Sequence, residues 1–256
     1  MKKNIYYSEV VVRKNLAKSK VVHLFYMLSS LFRIPVEAFL RKNFGERYFS
    51  SLLVTLFTIA FIIIPYLLSQ RYGRTNWSFL FEHFTSWYLY TIAFIYFSYR
   101  RYRETKRNPS VFDFKKFSQY EGDIKDFFLS KKGPDGRADM RAIEIFYEPG
   151  AVLLAGLLLV LLQQPLGLLI VICALMYSLS YRIAYLIGDH FIMDQIDMMI
   201  MNEEMEEVFI NYKDADDARG VRFSMKNPGD ITYRKTLMDN IIIDENEDPD
   251  DEDDSF

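Results

Sequence analysis

The chain has 256 residues, half of them hydrophobic, and its 31 basic and 34 acidic side chains leave a formal net charge of −3. A chain of this length holds one or two domains, and its single cysteine excludes both an intramolecular disulfide and a zinc site built on cysteines. The mean hydropathy is close to zero, but strongly apolar runs alternate with charged ones, so that average conceals membrane segments.

The N-terminal region is basic, with lysines or arginines at Lys2, Lys3, Arg13, Lys14, Lys18 and Lys20. No apolar core ending in small residues adjoins them, so no cleavable signal peptide is expected. In Val21–Leu40, apolar residues recur at helical spacing around Arg33, Pro35 and Glu37. This pattern predicts an amphipathic helix in the membrane interface, broken near Pro35; the alternative is a helix packed on the protein's own cytoplasmic part.

Two transmembrane helices are predicted next. Phe49–Gln70 carries no charge and is long enough to span a bilayer, and Ser78–Tyr99 is rich in aromatic residues. Five basic residues lie between Arg100 and Arg107, whereas the loop that joins the two helices has only Arg71 and Arg74. Because positive charge favours the cytoplasmic side, we expect the N-terminus and the segment after Tyr99 to face the cytoplasm.

The segment from 100 to 142 is predicted to be cytoplasmic and helical. Aromatic and aliphatic residues recur there at three- and four-residue steps: Phe117, Tyr120, Ile124, Phe127 and Phe128. Lys131–Gly136 follows as a turn signal. The apolar face of this helix requires a cover, which the bilayer, the C-terminal region or another subunit could supply.

Ala151–Ser180 is the longest stretch without a formal charge. As one helix it would be about 45 Å long, against a hydrocarbon core of about 30 Å. It would also place Gln163, Gln164 and Pro165 at mid-membrane. We therefore favour a helical hairpin that turns at these residues over one tilted span. The arms are short, so the hairpin either crosses by recruiting Ile143–Gly150 or enters one leaflet as a wedge; both forms return the C-terminus to the same side.

The C-terminal region is predicted to contain a helix, a hairpin and a tail. Asp189–Tyr212 has a heptad-like seam that includes Met198, Met201 and Met205, which indicates either a partner-binding surface or packing within the chain. Val221–Leu237 predicts a small β-hairpin around an Asn-Pro-Gly turn. The almost wholly acidic run after Ile243 is predicted to be disordered.

One cluster suggests metal chemistry. His190 and Asp194 share a face of the predicted helix, and Asp197 neighbours Asp194. An imidazole and carboxylates at a membrane edge could hold a divalent cation. A polar cap where the helix leaves the bilayer is the favoured alternative, so no metal and no cofactor are predicted.

The acidic tail is a candidate partner-binding element. Its tip, with Asp253, Asp254 and the terminal Phe256, resembles over seven residues the C-terminal tip of bacterial single-stranded-DNA-binding proteins. That resemblance implies that the aromatic ring and terminal carboxylate dock in a basic pocket on a partner. The alternative is a solubilising tail, and in either case the charge would repel nucleic acid.

Together these patterns predict an all-α multi-pass membrane protein with about four membrane segments: two spans and a tight helical hairpin. Cytoplasmic helices and the small C-terminal β-hairpin complete the predicted fold. The predicted regions are 1–48 (basic, with the interfacial helix), 49–99 (helix pair), 100–142 (cytoplasmic), 143–188 (membrane hairpin), 189–243 (cytoplasmic helix and β-hairpin) and 244–256 (tail).

For function, the sequence favours a non-catalytic membrane anchor or scaffold subunit of a larger assembly, of the kind found in bacterial secretion or DNA-transfer machines. No common nucleotide-binding, hydrolase or metalloprotease motif occurs, and the membrane segments are expected to contain no buried acid, lysine or arginine. The alternatives are an oligomeric pore or transporter and an enzyme acting on a phosphate-containing lipid. The expected location is the plasma (inner) membrane with both termini cytoplasmic, and the expected partners are lipid, other protein subunits and a second copy of the chain.

Overall fold

A computed structural model describes residues 2–12, 16–71, 77–105, 117–130, 136–211, 213–214, 218–225 and 228–244. The predictions for Asp253, Asp254 and Phe256 lie outside these residues. The described residues form two compact units. The hairpin unit contains those from Lys20 to Tyr185, and the terminal unit contains those from the two chain ends, up to Ser19 and from Leu186 onward.

Two helices with a bend between them precede the first predicted span. α1 is Leu16–Leu31 and α2 is Ile34–Leu40, and the two are bent by 52°. Pro35 lies in the first turn of α2, where its missing N–H removes no intrahelical hydrogen bond. The predicted break near Pro35 is therefore confirmed.

The predicted helix pair is also present. α3 is Ser51–Arg71 and α4 is Trp77–Thr105, and the two pack against each other. The indole Nε1 of Trp87 donates a hydrogen bond to the Phe61 carbonyl at 2.9 Å. Phe61 and Trp87 belong to an apolar core that also contains Ala38, Leu80, Phe84, Phe94 and Leu166.

The predicted helical hairpin is confirmed, which excludes one continuous helix through Ala151–Ser180. The first arm runs through α6 (Met140–Ala142), a π-helical turn and α7 (Glu148–Leu161). Gln163 then adopts a φ of 58°, and Pro165 begins α8. The arms touch at Gly167, where a Cβ atom would lie 2.5 Å from the Val160 nitrogen, so this approach requires glycine.

Three of the described helices are long and apolar enough to span a membrane: Ser51–Gln70, Met140–Leu161 and Pro165–Phe209. The bent α1–α2 pair meets the same requirement when its two parts are taken together. α4 has 29 residues but is not among the three, because its tyrosines, serines and charged ends lower its hydropathy. The chain is thus mostly helical, with membrane-spanning helices by length and composition.

The long helix predicted around Phe117–Phe128 is wrong over its described part. Only α5, Asp126–Leu129, is helical there. Backbone groups of the preceding residues pair instead with the segment after α2: the Gly45 nitrogen donates to the Tyr120 carbonyl at 2.8 Å, and Asp123 donates to Lys42 at 2.7 Å. A Cβ on Gly45 would lie 2.3 Å from the Ser118 oxygen, so glycine permits this pairing.

The terminal unit contains the only sheet among the described residues. β1 (Lys2–Asn4) pairs antiparallel with β2 (Ile242–Asp244). The β-hairpin predicted over Val221–Leu237 is wrong, because Ile231–Ile241 forms α9. The Asp230 side chain accepts a hydrogen bond from the Thr232 nitrogen and caps this helix, which outweighs the strand preference of its β-branched residues.

The methionine seam lies inside the terminal unit. α8 runs without a break from Pro165 to Phe209, so the predicted helix at Asp189 continues the hairpin arm. Met201 and Met205 are buried with Tyr7, Val208, Phe209 and Met238, and Met198 packs against them. Tyr7 from the N-terminal region and Met238 from α9 cover this seam. The packing agrees with the predicted alternative of contacts within the chain rather than an exposed partner surface at Met198, Met201 and Met205.

Candidate functional site

Three elements of the hairpin unit each carry a ladder of polar residues at four-residue spacing. Glu37 lies in α2, and Arg33 and Arg41 flank its two ends. Glu144 and Glu148 lie on the first hairpin arm, and Tyr177, Tyr181 and Tyr185 lie on α8. Residues four apart share one face of a helix. The fold brings the three faces together into one polar cluster, which we call the Arg41 cluster.

Arg41 is the centre of this cluster and is only 1% exposed. Its Nη2 donates to Glu148 at 2.5 Å and to Glu144 at 3.1 Å, and its Nη1 donates to the Tyr181 hydroxyl at 2.7 Å. The fully buried Glu148 also accepts a hydrogen bond from the Tyr177 hydroxyl at 2.5 Å. Arg41 thus joins α2 to both arms of the hairpin.

Glu37 holds the second half of the Arg41 cluster. The Tyr48 hydroxyl donates to its carboxylate at 2.9 Å, and the Tyr181 hydroxyl lies 3.3 Å from Glu37 Oε1. The Arg33 guanidinium lies 3.6 Å from Glu37 and over the ring of Tyr181 at 4.5 Å. Arg33 is buried, but its Nε and Nη1 make no hydrogen bond, so attraction to Glu37 and to the aromatic face stabilises it.

The Arg41 cluster overturns the expectation that no charged group is buried in the apolar segments. Arg33, Glu37, Arg41 and Glu148 are all buried. Burying a charge is costly unless it is paired. Each cation here lies against a carboxylate, so charge pairing and tyrosine hydrogen bonds stabilise these groups together.

An acidic cleft of about 770 Å³ adjoins the cluster. Among the described residues, its charged lining consists of Arg41, Glu121, Asp123, Asp126 and Glu144. The Tyr120 hydroxyl donates to Asp123 at 2.7 Å, and this hydrogen bond, together with burial, raises the pKa of Tyr120. With one buried cation among four acids, the charge of the cleft favours a cationic occupant over an anionic one.

The metal candidates from the sequence do not form a metal site. His190, Asp194 and Asp197 are exposed on α8, and within the described residues no three His, Cys, Asp or Glu side chains are placed to hold a metal. Asp194 instead lies 3.4 Å from the Tyr7 hydroxyl. Burial, followed by the charges of Asp194 and Asp197, raises the pKa of Tyr7 to about 12.

The terminal unit has its own ion-pair group. Glu204 is buried on α8 and accepts hydrogen bonds from Lys213 Nζ at 2.7 Å and Arg219 Nε at 2.6 Å. Arg219 also contacts the exposed Glu203 at 2.5 Å. These contacts fix the chain that follows α8 against the helix.

Sequence reasoning missed the Arg41 cluster because its partners are far apart in the chain. Arg41 and Glu148 are separated by 107 residues, and Arg41 and Tyr181 by 140. The signal that could have revealed it is the four-residue spacing of charged or phenolic residues in three separate apolar segments. Each ladder alone resembles a helix end at the membrane surface, and only their coincidence indicates a shared cluster.

Comparison with known proteins gives no relative. No family model matches the chain, and no curated protein and no solved structure matches it either.

Proposed function

We propose that the protein is a non-catalytic integral membrane anchor or scaffold subunit of a larger multi-protein assembly. The hairpin unit is the anchor, and the terminal unit presents surfaces to partners on the cytoplasmic side of the plasma (inner) membrane. The excess of lysine and arginine in the N-terminal region and after α4, relative to the loop between α3 and α4, supports this orientation.

A band of exposed apolar side chains on α8, within the terminal unit, carries this proposal. It consists of Phe191, Ile192, Met193, Ile196 and Met199, each at least half exposed. Ile192, Ile196 and Met199 recur at helical spacing, and acidic residues interrupt the band at Asp194 and Asp197. Contiguous exposed apolar residues bordered by polar ones are typical of protein interaction sites.

The scaffold function is tested by isolating the full-length protein from its native membranes in mild detergent. We expect other subunits to co-purify in fixed ratio, and Ile192→Asn with Ile196→Asn to abolish this, because an amide at each position interrupts the apolar band. Glu206→Gln, at an exposed position on the same helix, is the matched control and should retain the partners. A protein that purifies alone, or partners retained by the double variant, would contradict the proposal.

The acidic tail gives a second variant in the same experiment. If a basic partner recognises the tip at Asp253, Asp254 and Phe256, then deletion of residues 245–256, which keeps Asp244 of β2, should remove that partner while the others remain. Asp194→Ala should leave the assembly unchanged. Loss of a metal-dependent activity on a phosphate-containing lipid in that variant would instead support an enzyme.

The Arg41 cluster favours one alternative, an oligomeric pore or transporter. Paired ionisable groups in apolar segments are found along ion and proton pathways. In that case the purified protein should form a discrete homo-oligomer and conduct ions in liposomes, and Glu148→Gln should alter the flux. Liposomes that remain tight would leave the scaffold as the better proposal.

A further inference from the structure

The turn between α7 and α8 lies opposite the middle of the α3–α4 pair. The Ser86 hydroxyl on α4 donates a hydrogen bond to Gln164 Oε1 at 2.6 Å. Leu166, one residue into α8 from Pro165, is buried in the core with Phe61 and Trp87. Phe61 is the central residue of α3, and its carbonyl accepts the hydrogen bond from Trp87.

Both α3 and α4 continue well beyond this level. α3 has ten more residues after Phe61, to Arg71, which extend it by about 15 Å. In the opposite chain direction, α4 runs nine residues from Ser86 to its first residue, Trp77. Non-helical backbone angles at Phe84 (φ −118°, ψ 15°) kink this part, so it extends α4 by less than about 13 Å. The turn therefore ends about 15 Å short of the far end of α3.

The distance from the Arg41 cluster to the turn gives the same result independently. The cluster lies level with the start of α3, because Tyr48, three residues before Ser51, hydrogen-bonds to Glu37. From Glu148 to Leu161 the first arm rises about 20 Å, and from Tyr177 back to Pro165 the second arm rises about 18 Å. A hydrocarbon core is about 30 Å thick, so arms that begin at one face and rise this far end about 10 Å short of the other face.

The turn exposes two leucines and one glutamine, Gln163, so at mid-depth the leucines are covered by lipid and the Gln163 amide requires a partner within the membrane. Leu161 and Leu162 are 78% and 68% exposed, and at a membrane face these two side chains would meet water. Inside the membrane, lipid tails cover them. The Gln164 amide oxygen, which would be unsatisfied there, is the group that Ser86 satisfies.

We propose that the α7–α8 hairpin is re-entrant: it enters and leaves the membrane at the face that holds the Arg41 cluster and turns inside the hydrocarbon core. α3 and α4 continue to the opposite face. Ser86 and Gln164 form the intramembrane hydrogen bond that fixes the turn at this depth. This inference is independent of the scaffold function, because a re-entrant hairpin can anchor a scaffold or line a pathway.

The test measures depth in the full-length protein reconstituted in phosphatidylcholine vesicles. Cys173→Ala gives a background without cysteine, and single cysteines are then placed at the exposed positions Leu162, Gln163, Ile62 and Gln70. Each is labelled with a fluorophore, and its depth is obtained from quenching by lipids that carry nitroxides at different positions along the acyl chain. Ile62 is the reference for the middle of α3, and Gln70 is the reference for its far end.

We expect the labels at Leu162 and Gln163 to lie at the depth of Ile62, about 12 Å deeper than Gln70, because eight residues of helix separate those references. If both turn labels lie at the depth of Gln70, the hairpin crosses the membrane and the proposal is wrong. Two turn positions are used so that a local disturbance by one label cannot determine the result. Neither result changes the co-purification test of the scaffold function.

Discussion

The two units use charge in opposite ways. In the hairpin unit, Arg41 and Glu148 are withdrawn from solvent, and their partners come from three separate helical segments. In the terminal unit Asn4 and Glu204 are buried beside an apolar core, and the cations that pair with Glu204 reach solvent: Arg219 is 60% exposed and Lys213 is 29% exposed. Ion pairs thus join separate helical segments in the hairpin unit, whereas in the terminal unit they hold the chain after α8 against that helix.

The physical reason is the surroundings of each pair. A buried charge that loses its partner keeps its full desolvation cost, whereas an exposed charge is hydrated and screened by salt. Removing a charge should therefore lower the stability more in the hairpin unit than in the terminal unit.

Arg41→Met should be the most damaging of these changes. It leaves Glu148 and Glu144 without their shared cation, and breaking a buried ion pair in this way costs about 3–5 kcal/mol. Thermal unfolding of the purified protein in detergent measures the loss. Arg182→Met is the matched control, because Arg182 is exposed on α8 next to Tyr181 and contacts only the Phe146 ring at 5.6 Å among the contacts described.

The double variant Arg41→Met/Glu148→Gln sharpens this prediction. Removing both charges should restore part of the lost stability, because the fully buried Glu148 charge is then gone, and only part of it, because Glu144 still lacks its cation. If the single variant unfolds at the wild-type temperature, the Arg41 cluster does not hold the hairpin unit together.

Tyr177→Phe should have an intermediate effect. It removes the hydroxyl that donates to Glu148 at 2.5 Å but leaves Arg41 in place, and loss of a donor to a buried group costs about 1–3 kcal/mol. The same thermal unfolding experiment measures it. Tyr66→Phe is the control, since Tyr66 is 48% exposed on α3, and an equal loss in both variants would show that the hydrogen bond to Glu148 has no special role.

Arg219→Gln should have the smallest effect. Arg219 is largely exposed, so its pairing with Glu203 and Glu204 is weakened by water and by salt. At low salt we expect a shift in the unfolding temperature near the limit of detection. At 1 M sodium chloride we expect none, because the Debye length is then only about 3 Å. A large, salt-independent loss would instead show that Glu204 requires this partner inside the protein.

The features that the sequence predicts correctly are those with a local cause. The turn at Gln163–Pro165 follows from two amides and a proline between apolar runs, and the break at Pro35 follows from its missing N–H. The errors have a distant cause. Residues before Asp126 are not helical because Lys42 and Gly45 pair with their backbone, and α9 forms where Met238 packs into a core supplied by α8. The Arg41 cluster likewise has a distant cause: each ladder shows its four-residue spacing locally, but the contacts of Arg41 join segments more than 100 residues apart.

If the turn lies at mid-depth, as we propose, both hairpin arms, α7 and α8, occupy the leaflet that holds Arg41 and neither reaches the other leaflet, whereas α3 and α4 pass through both. At about 10 Å of diameter per helix, the arms add two helix cross-sections to one leaflet alone. Such a unit relieves packing stress where that leaflet is the outer, convex one. When small and large vesicles are both offered, we therefore expect the protein to concentrate in the small ones in the orientation that places Arg41 at the outer face.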